Sequence, residues 1–188
     1  MNAAILTTEL SELEIEKLES LIGGTLEFLG GDHLPDLMFA SQFVVFTNRC
    51  ALVFQGDVVQ ADLEGYVENY SRIRVVQVDE AEVSRLGALG RLSFDGPNQV
   101  IQNVEILRRT ITEYKNGVVT WQLKTSRAVV LDLGTTNLCF SKLGEHDEAL
   151  AVTSLLEFQS SKLPTTSSYF ETDFKTSYVI REDLFSLK

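Results

Sequence analysis

The chain has 188 residues, 44% apolar and 23% charged, with 12 glycines and only three prolines. That balance excludes disorder and low-complexity repeats as its main content, and the length suffices to bury about 70% of the surface an unfolded chain exposes. With 16 Lys plus Arg against 27 Asp plus Glu, the formal net charge of -11 disfavours nucleic acid and anionic membranes as partners.

The charge is unevenly laid out. Residues 1–70 hold 12 acids and two bases (Lys17, Arg49), whereas residues 71–188 hold 15 acids and 14 bases. Met1–Glu9 has no basic start and no long apolar run, so no secretion leader is expected. No window reaches the ~18 consecutive apolar residues of a membrane span, and a cytoplasmic location follows as the expectation. Cys50 and Cys139 sit among apolar neighbours and read as core positions, since two cysteines make no disulfide framework. Residues 1–188 are expected to form a single domain.

Ser11-Glu12-Leu13-Glu14 has the form of a capping box, and Leu18, Leu21 and Ile22 follow at helical spacing before Gly23-Gly24. The spacing predicts a helix over 11–22, with Glu12, Glu16 and Glu19 outside and Glu14 misplaced in the apolar stripe. Thereafter the period becomes 2. Gln42–Thr47, Cys50–Phe54, Val58–Glu64 and Arg72–Val78 read as strands of an antiparallel meander, with Asn48-Arg49 and Gln55-Gly56-Asp57 as its turns. Asp79-Glu80-Ala81-Glu82 caps a short helix ending at Gly87 or Gly90, and Asp95–Asn98 is a turn.

A second run of strands is predicted at Gln99–Glu113, Val118–Lys124, Arg127–Leu133 and Asn137–Leu143, with turns at Lys115-Asn116-Gly117 and Gly134-Thr135-Thr136. Residues 148–158 fit a strand or a helix equally. Ser160–Ser168 reads as a flexible polar loop, and Tyr178–Arg181 as a last strand at an edge. The fold class expected is therefore α+β and β-rich: antiparallel meanders in a sandwich or partly open barrel, with an N-terminal and a short middle helix.

Motifs that carry chemistry are sparse. His33 lies in Gly30-Gly31-Asp32-His33-Leu34-Pro35-Asp36, where a carboxylate beside an imidazole could present a base; a turn explains the same residues. His146, between Glu145 and Asp147, reads as an exposed turn. The cysteines lack the close spacing of a zinc site, and no P-loop, G-x-G-x-x-G or calcium loop occurs, so neither metal nor cofactor is expected. Asp132-Leu133-Gly134-Thr135-Thr136 resembles a phosphate-binding turn of actin-like ATPases, but its place between two strands of a short chain makes it a hairpin. Arg72, Arg74, Arg108 and Arg109 are expected to pair with the acidic first third.

Two functions of different class are compatible with these features. The first is a non-catalytic acidic protein that binds a basic protein partner, as immunity proteins neutralise cationic toxins, an analogy of size and charge. Its expected contact residues are Asp57, Asp62, Glu64 and Glu68. The alternative is a small-molecule-binding or hydrolytic β-barrel with a pocket near Asp32 and His33.

Overall fold

The computed structural model describes residues 3–32, 34, 39–63, 66–94, 99–153 and 176–188. Its first helix starts at a complete capping box. The Ser11 hydroxyl accepts from the Glu14 N–H at 3.4 Å, and the Glu14 carboxylate accepts from the Ser11 N–H at 2.9 Å. Helix α1 (Glu12–Glu19) follows, and its end tightens into three-residue bonds from Leu21 to Leu18 and from Ile22 to Glu19. Gly23 then takes a φ of +77°, which glycine adopts without strain. Leu18 and Leu21 are fully buried.

Strands form two sheets. One runs β6 (Tyr66–Gln77), β5 (Ala51–Leu63), β4 (Gln42–Thr47), β2 (Leu26–Gly31), β7 (Arg91–Ser93). The other runs β12 (Thr176–Ser186), β8 (Asn103–Lys115), β9 (Val118–Asp132), β10 (Asn137–Lys142), β11 (Leu150–Thr153), β3 (Phe39–Ala40), with β1 (Ala4–Thr8) laid parallel on β9. Every other strand pairing among the described residues is antiparallel. The sheets are not closed into a barrel. This is a β-rich α+β sandwich.

The core between the sheets is built from alternate residues of each. Phe43, Val45, Leu52, Phe54, Ile73 and Val75 meet Val104, Ile106, Val129, Leu131, Phe140 and Val152. Phe54 stacks on Phe140 at 4.4 Å, and Phe43 meets the same ring edge-on at 6.1 Å. Helix α2 (Glu80–Leu89), capped by Asp79, presses Val83 and Leu86 onto Phe28, Val44, Ala51 and Val53. The same strand thus buries both faces.

Several elements differ from the sequence reading. Gln55-Gly56-Asp57 is not a turn: β5 runs straight through it, and the hairpin joins β5 to β6 instead. Gly56 is glycine because the Glu148 backbone lies where its side chain would be, while its N–H donates to the Ser41 carbonyl at 2.8 Å. Likewise, Val118–Lys124 and Arg127–Leu133 are one strand, β9, which carries a bulge opposite Leu107 and Arg108. Strands β2, β3 and β7 fall outside the predicted strands, and so does β1. Strand β1 pairs with residues more than 110 positions away, so no local turn announces it.

Two of the predicted hairpin turns are present. Asn116 and Gly117 take φ of 53° and 77° in the tight β8–β9 hairpin. Gly134 takes φ of +82° in the β9–β10 hairpin, where its N–H donates to Asp132 Oδ1 at 2.8 Å. The ambiguous segment 148–158 holds a strand at Leu150–Thr153, and its remainder past 153 lies outside the described residues. So do the turn at 95–98 and the loop 160–168. Strand β12 is an edge strand and longer than predicted. No described helix is long and apolar enough to cross a membrane.

Candidate functional site

Register across β12, β8, β9 and β1 lays three rungs on one sheet face. The first is Tyr178–Glu113–Trp121–Ala4, the second Ile180–Ile111–Leu123–Leu6, and the third Glu182–Arg109–Thr125–Thr8. Directly opposed residues in a ladder share a face, so rings, aliphatic chains and charges each form a row. Strand β6 and the segment after β10 close over these rows. Together they bound an open pocket of about 310 Å³, lined by Glu68, Tyr70, Arg109, Ile111, Trp121, Leu123, Glu145, His146, Tyr178 and Ile180. Trp121 and Tyr178 stand 6.1 Å apart at 55°, and Tyr70 and His146 5.2 Å apart at 45°.

One end of the pocket is a buried charge network. Arg109 donates from Nη2 and Nε to Glu182 Oε1 at 2.6 and 2.9 Å, and from Nη1 to Glu145 Oε1 at 3.3 Å. Lys142, fully inside the protein, donates to Glu145 Oε2 at 2.7 Å, Thr125 Oγ1 at 2.8 Å and the Ser71 carbonyl at 3.0 Å. Arg127 lies 3.9 Å from both carboxylates. Burial pushes the Glu145 carboxyl up, but Lys142, Arg109 and Arg127 together hold it below its usual range. Burial also lowers Lys142, with Glu145 opposing.

This network fastens the two sheets. Beside it, the Ser71 N–H donates to the Glu145 carbonyl at 2.7 Å, and the Ser71 hydroxyl to the Gly144 carbonyl at 2.7 Å. His146 Nδ1 lies 2.6 Å from the Asn69 carbonyl oxygen, to which it donates. The edge of β6 is therefore covered by residues 144–146. At the aromatic end, Glu113 is buried and accepts from Tyr178 Oη at 2.8 Å and Thr120 Oγ1 at 2.5 Å. Burial raises the Glu113 carboxyl, yet these donors and Lys115 outweigh it.

The acidic residues singled out from sequence are dispersed. Glu68 is exposed at the pocket rim, where Oε2 accepts from Tyr70 Oη at 2.8 Å. Burial, with Glu68 next, pushes the Tyr70 phenol well up. Asp57 stands opposite Arg72 in the β5–β6 ladder and lies 3.6 Å from Arg74. The backbone register pairs Asp62 with Val67, one step out of phase with Asp57 and Glu68; its side chain, and Glu64 altogether, lie outside the described residues. Asp32 is exposed and does not line the pocket, and His33 is also outside the described residues.

The arginines divide in the same way. Arg72 pairs with Glu14 at 2.9 Å, Arg74 with Asp57, and Arg108 with Glu9 at 3.8 Å, all in the acidic first third. Arg109 instead finds Glu145 and Glu182. The sequence reading missed Arg109, Glu145, Tyr70, Trp121 and Tyr178 as site residues. Alternation placed Trp121 and Leu123 on one face, but nothing local joined them to Tyr70 or Glu145.

The titratable groups of the pocket have defined partners. His146, the described imidazole, engages a backbone carbonyl rather than a hydroxyl or thiol, and the Lys142 amine donates three bonds. Among the described residues, no group of three His, Cys, Asp or Glu is placed to hold a metal. No family model, curated protein or solved structure matches this chain.

Proposed function

We propose that this is a non-catalytic, acidic interaction protein that binds a basic protein partner in the cytoplasm, in the manner of an immunity protein. The supporting observation is the seat of α1 on β6. Glu14 accepts from Arg72 Nη2 and from the Val75 N–H, and Lys17 turns inward to donate to the Val75 carbonyl at 3.3 Å. The outward stripe of α1 is thereby left to Glu12, Glu16 and Glu19, all exposed and, among the described residues, unpaired with Lys or Arg. That stripe flanks the strand carrying Glu68. Basic helix residues do not dilute it. A concentrated field of one sign draws in a cationic protein and repels phosphate chains and anionic bilayers.

The test is a salt titration with a purified partner captured from the host. A basic protein is expected, with an association rate that falls roughly tenfold or more as salt rises through the physiological range. Reversing Glu12, Glu16 and Glu19 to lysine should slow association similarly while leaving the circular dichroism spectrum unchanged. A partner indifferent to both salt and reversal would overturn the reading. The alternative, a small-molecule-binding or hydrolytic β-barrel with a pocket near Asp32 and His33, centres on His33, which lies outside the described residues; the pocket described above lies at Glu68 instead.

A further inference from the structure

The guanidinium and phenol donors in the pocket are already committed. The Arg109 guanidinium faces Glu182 and Glu145, Tyr178 donates to Glu113, Tyr70 donates to Glu68, and His146 Nδ1 faces the Asn69 carbonyl. What remains is the carboxylate of Glu68, which the Tyr70 hydroxyl meets through one oxygen and which, among the described residues, no Lys or Arg approaches. Four rings line the same pocket, Tyr70 in contact with Glu68, and the aliphatic row Ile111, Leu123 and Ile180 lines it with them.

Each class of ligand meets this differently. An anion would face the rim carboxylate and find its natural counter-charge, Arg109, taken. A neutral apolar molecule would cover Glu68 without satisfying it. An ammonium on an aliphatic stem matches all three features: carboxylate, ring faces and apolar floor. The volume, about 310 Å³, is at the small end of ligand pockets, enough for one side chain. The ring pairs are tilted at 55° and 45°, forming a cup for a compact cation rather than a parallel slot for a planar guanidinium.

We infer that this pocket receives a lysine side chain of the basic partner, with its stem on Ile111, Leu123 and Ile180 and its ammonium between Glu68 and the rings of Tyr70 and Trp121. The inference rests on the partner reading above and names the anchor of that contact. A field set by a net charge of -11 attracts a multiply charged basic protein more strongly than a singly charged free amine, which favours a protein lysine.

Trp121 is the sole tryptophan, so its fluorescence reports the pocket directly. Nα-acetyl-lysine methylamide should change that fluorescence saturably in the millimolar range. Its Nζ-acetylated form should not, and the arginine analogue should bind more weakly. Glu68→Gln keeps an acceptor for Tyr70 and should weaken the lysine probe about tenfold with melting unchanged. It should also weaken the purified partner. A missing response, equal binding of the Nζ-acetylated or arginine probe, or n-butylamine binding a hundredfold better would overturn the lysine assignment. If Glu68→Gln leaves the partner unaffected while α1 reversal weakens it, the anchor is wrong and the partner reading stands. If the probe responds as expected but the partner ignores salt and α1 reversal, the partner reading itself fails.

Discussion

Glu14 violates the apolar stripe of its own helix, and the structure shows why it is tolerated there. Its carboxylate completes the capping box, receives Arg72 and covers the Val75 N–H. Burial alone would raise it, yet the Ser11 and Val75 donors and Arg72 hold it below the usual carboxylate range. Glu14→Gln should cost about 2 kcal/mol in urea denaturation at neutral pH. Because the folded value is depressed, this contribution is complete above the unfolded carboxylate value of about 4.3 and disappears as pH falls through the folded one. The gap between wild type and variant should therefore narrow progressively as pH falls below the unfolded value and vanish once it has passed the folded one; a gap that did not narrow with acidification would contradict the charge account. The two thiols differ in the same residue-level way. Cys139 is fully buried, and burial pushes its thiol up to about 12. Cys50 is half-buried with Sγ 3.3 Å from Ser20 Oγ, a correction to the expectation that both are core. Native labelling should find Cys50 and miss Cys139 until the protein unfolds.

Elements are held where two strands meet a third at close range. Gly56 lets β5 pass beneath the Glu148 backbone, so Gly56→Ala should cost about 3 kcal/mol, read from the denaturation midpoint. The cost comes from overpacking, because no turn exists there to disrupt. Lys142 ties β10 to β6 and β9 through three acceptors. Lys142→Met should destabilise by about 2–4 kcal/mol, since it strips a partly buried carboxylate of its nearest cation. Adding Glu145→Gln should restore part of that loss; a double variant less stable than the single one would mean that Arg109 and Arg127 already balance Glu145. Elements whose signals are local were legible in the sequence. The capping box, the Asp79 cap, the Asn116-Gly117 turn and the Gln42–Thr47 strand each need only their own few residues. Gly56 misled because a glycine that permits close approach looks, in sequence, like a glycine that permits a turn.

Across the whole molecule, charge is both paired inside and unbalanced outside. Lys142, Arg109 and Arg127 are buried and pair with the partly buried Glu145 and Glu182, while much of the excess acid lies in the first 70 residues. Exposed charges of one sign repel, and salt screens them far more than it screens the buried network. Moderate salt should therefore raise the melting temperature by a few degrees, and reversing Glu12, Glu16 and Glu19 to lysine should remove much of that rise. A melting temperature that salt lowers would place the dominant charge interactions among attractive surface pairs instead.

The amino-acid sequence by itself determined the β-rich α+β class, both helix starts, most strands and the acidic character of the N-terminal third. These depend on periodicity, caps and turns, whose partners lie within a few residues of one another. Only the tertiary structure decided that β5 and β9 are unbroken, that β1 joins β9, and that a pocket exists. Arg109 lies 36 positions from Glu145 and 73 from Glu182, and Lys142 lies 71 from Ser71. Strand register and packing between the sheets bring these groups together, and no local spacing encodes either.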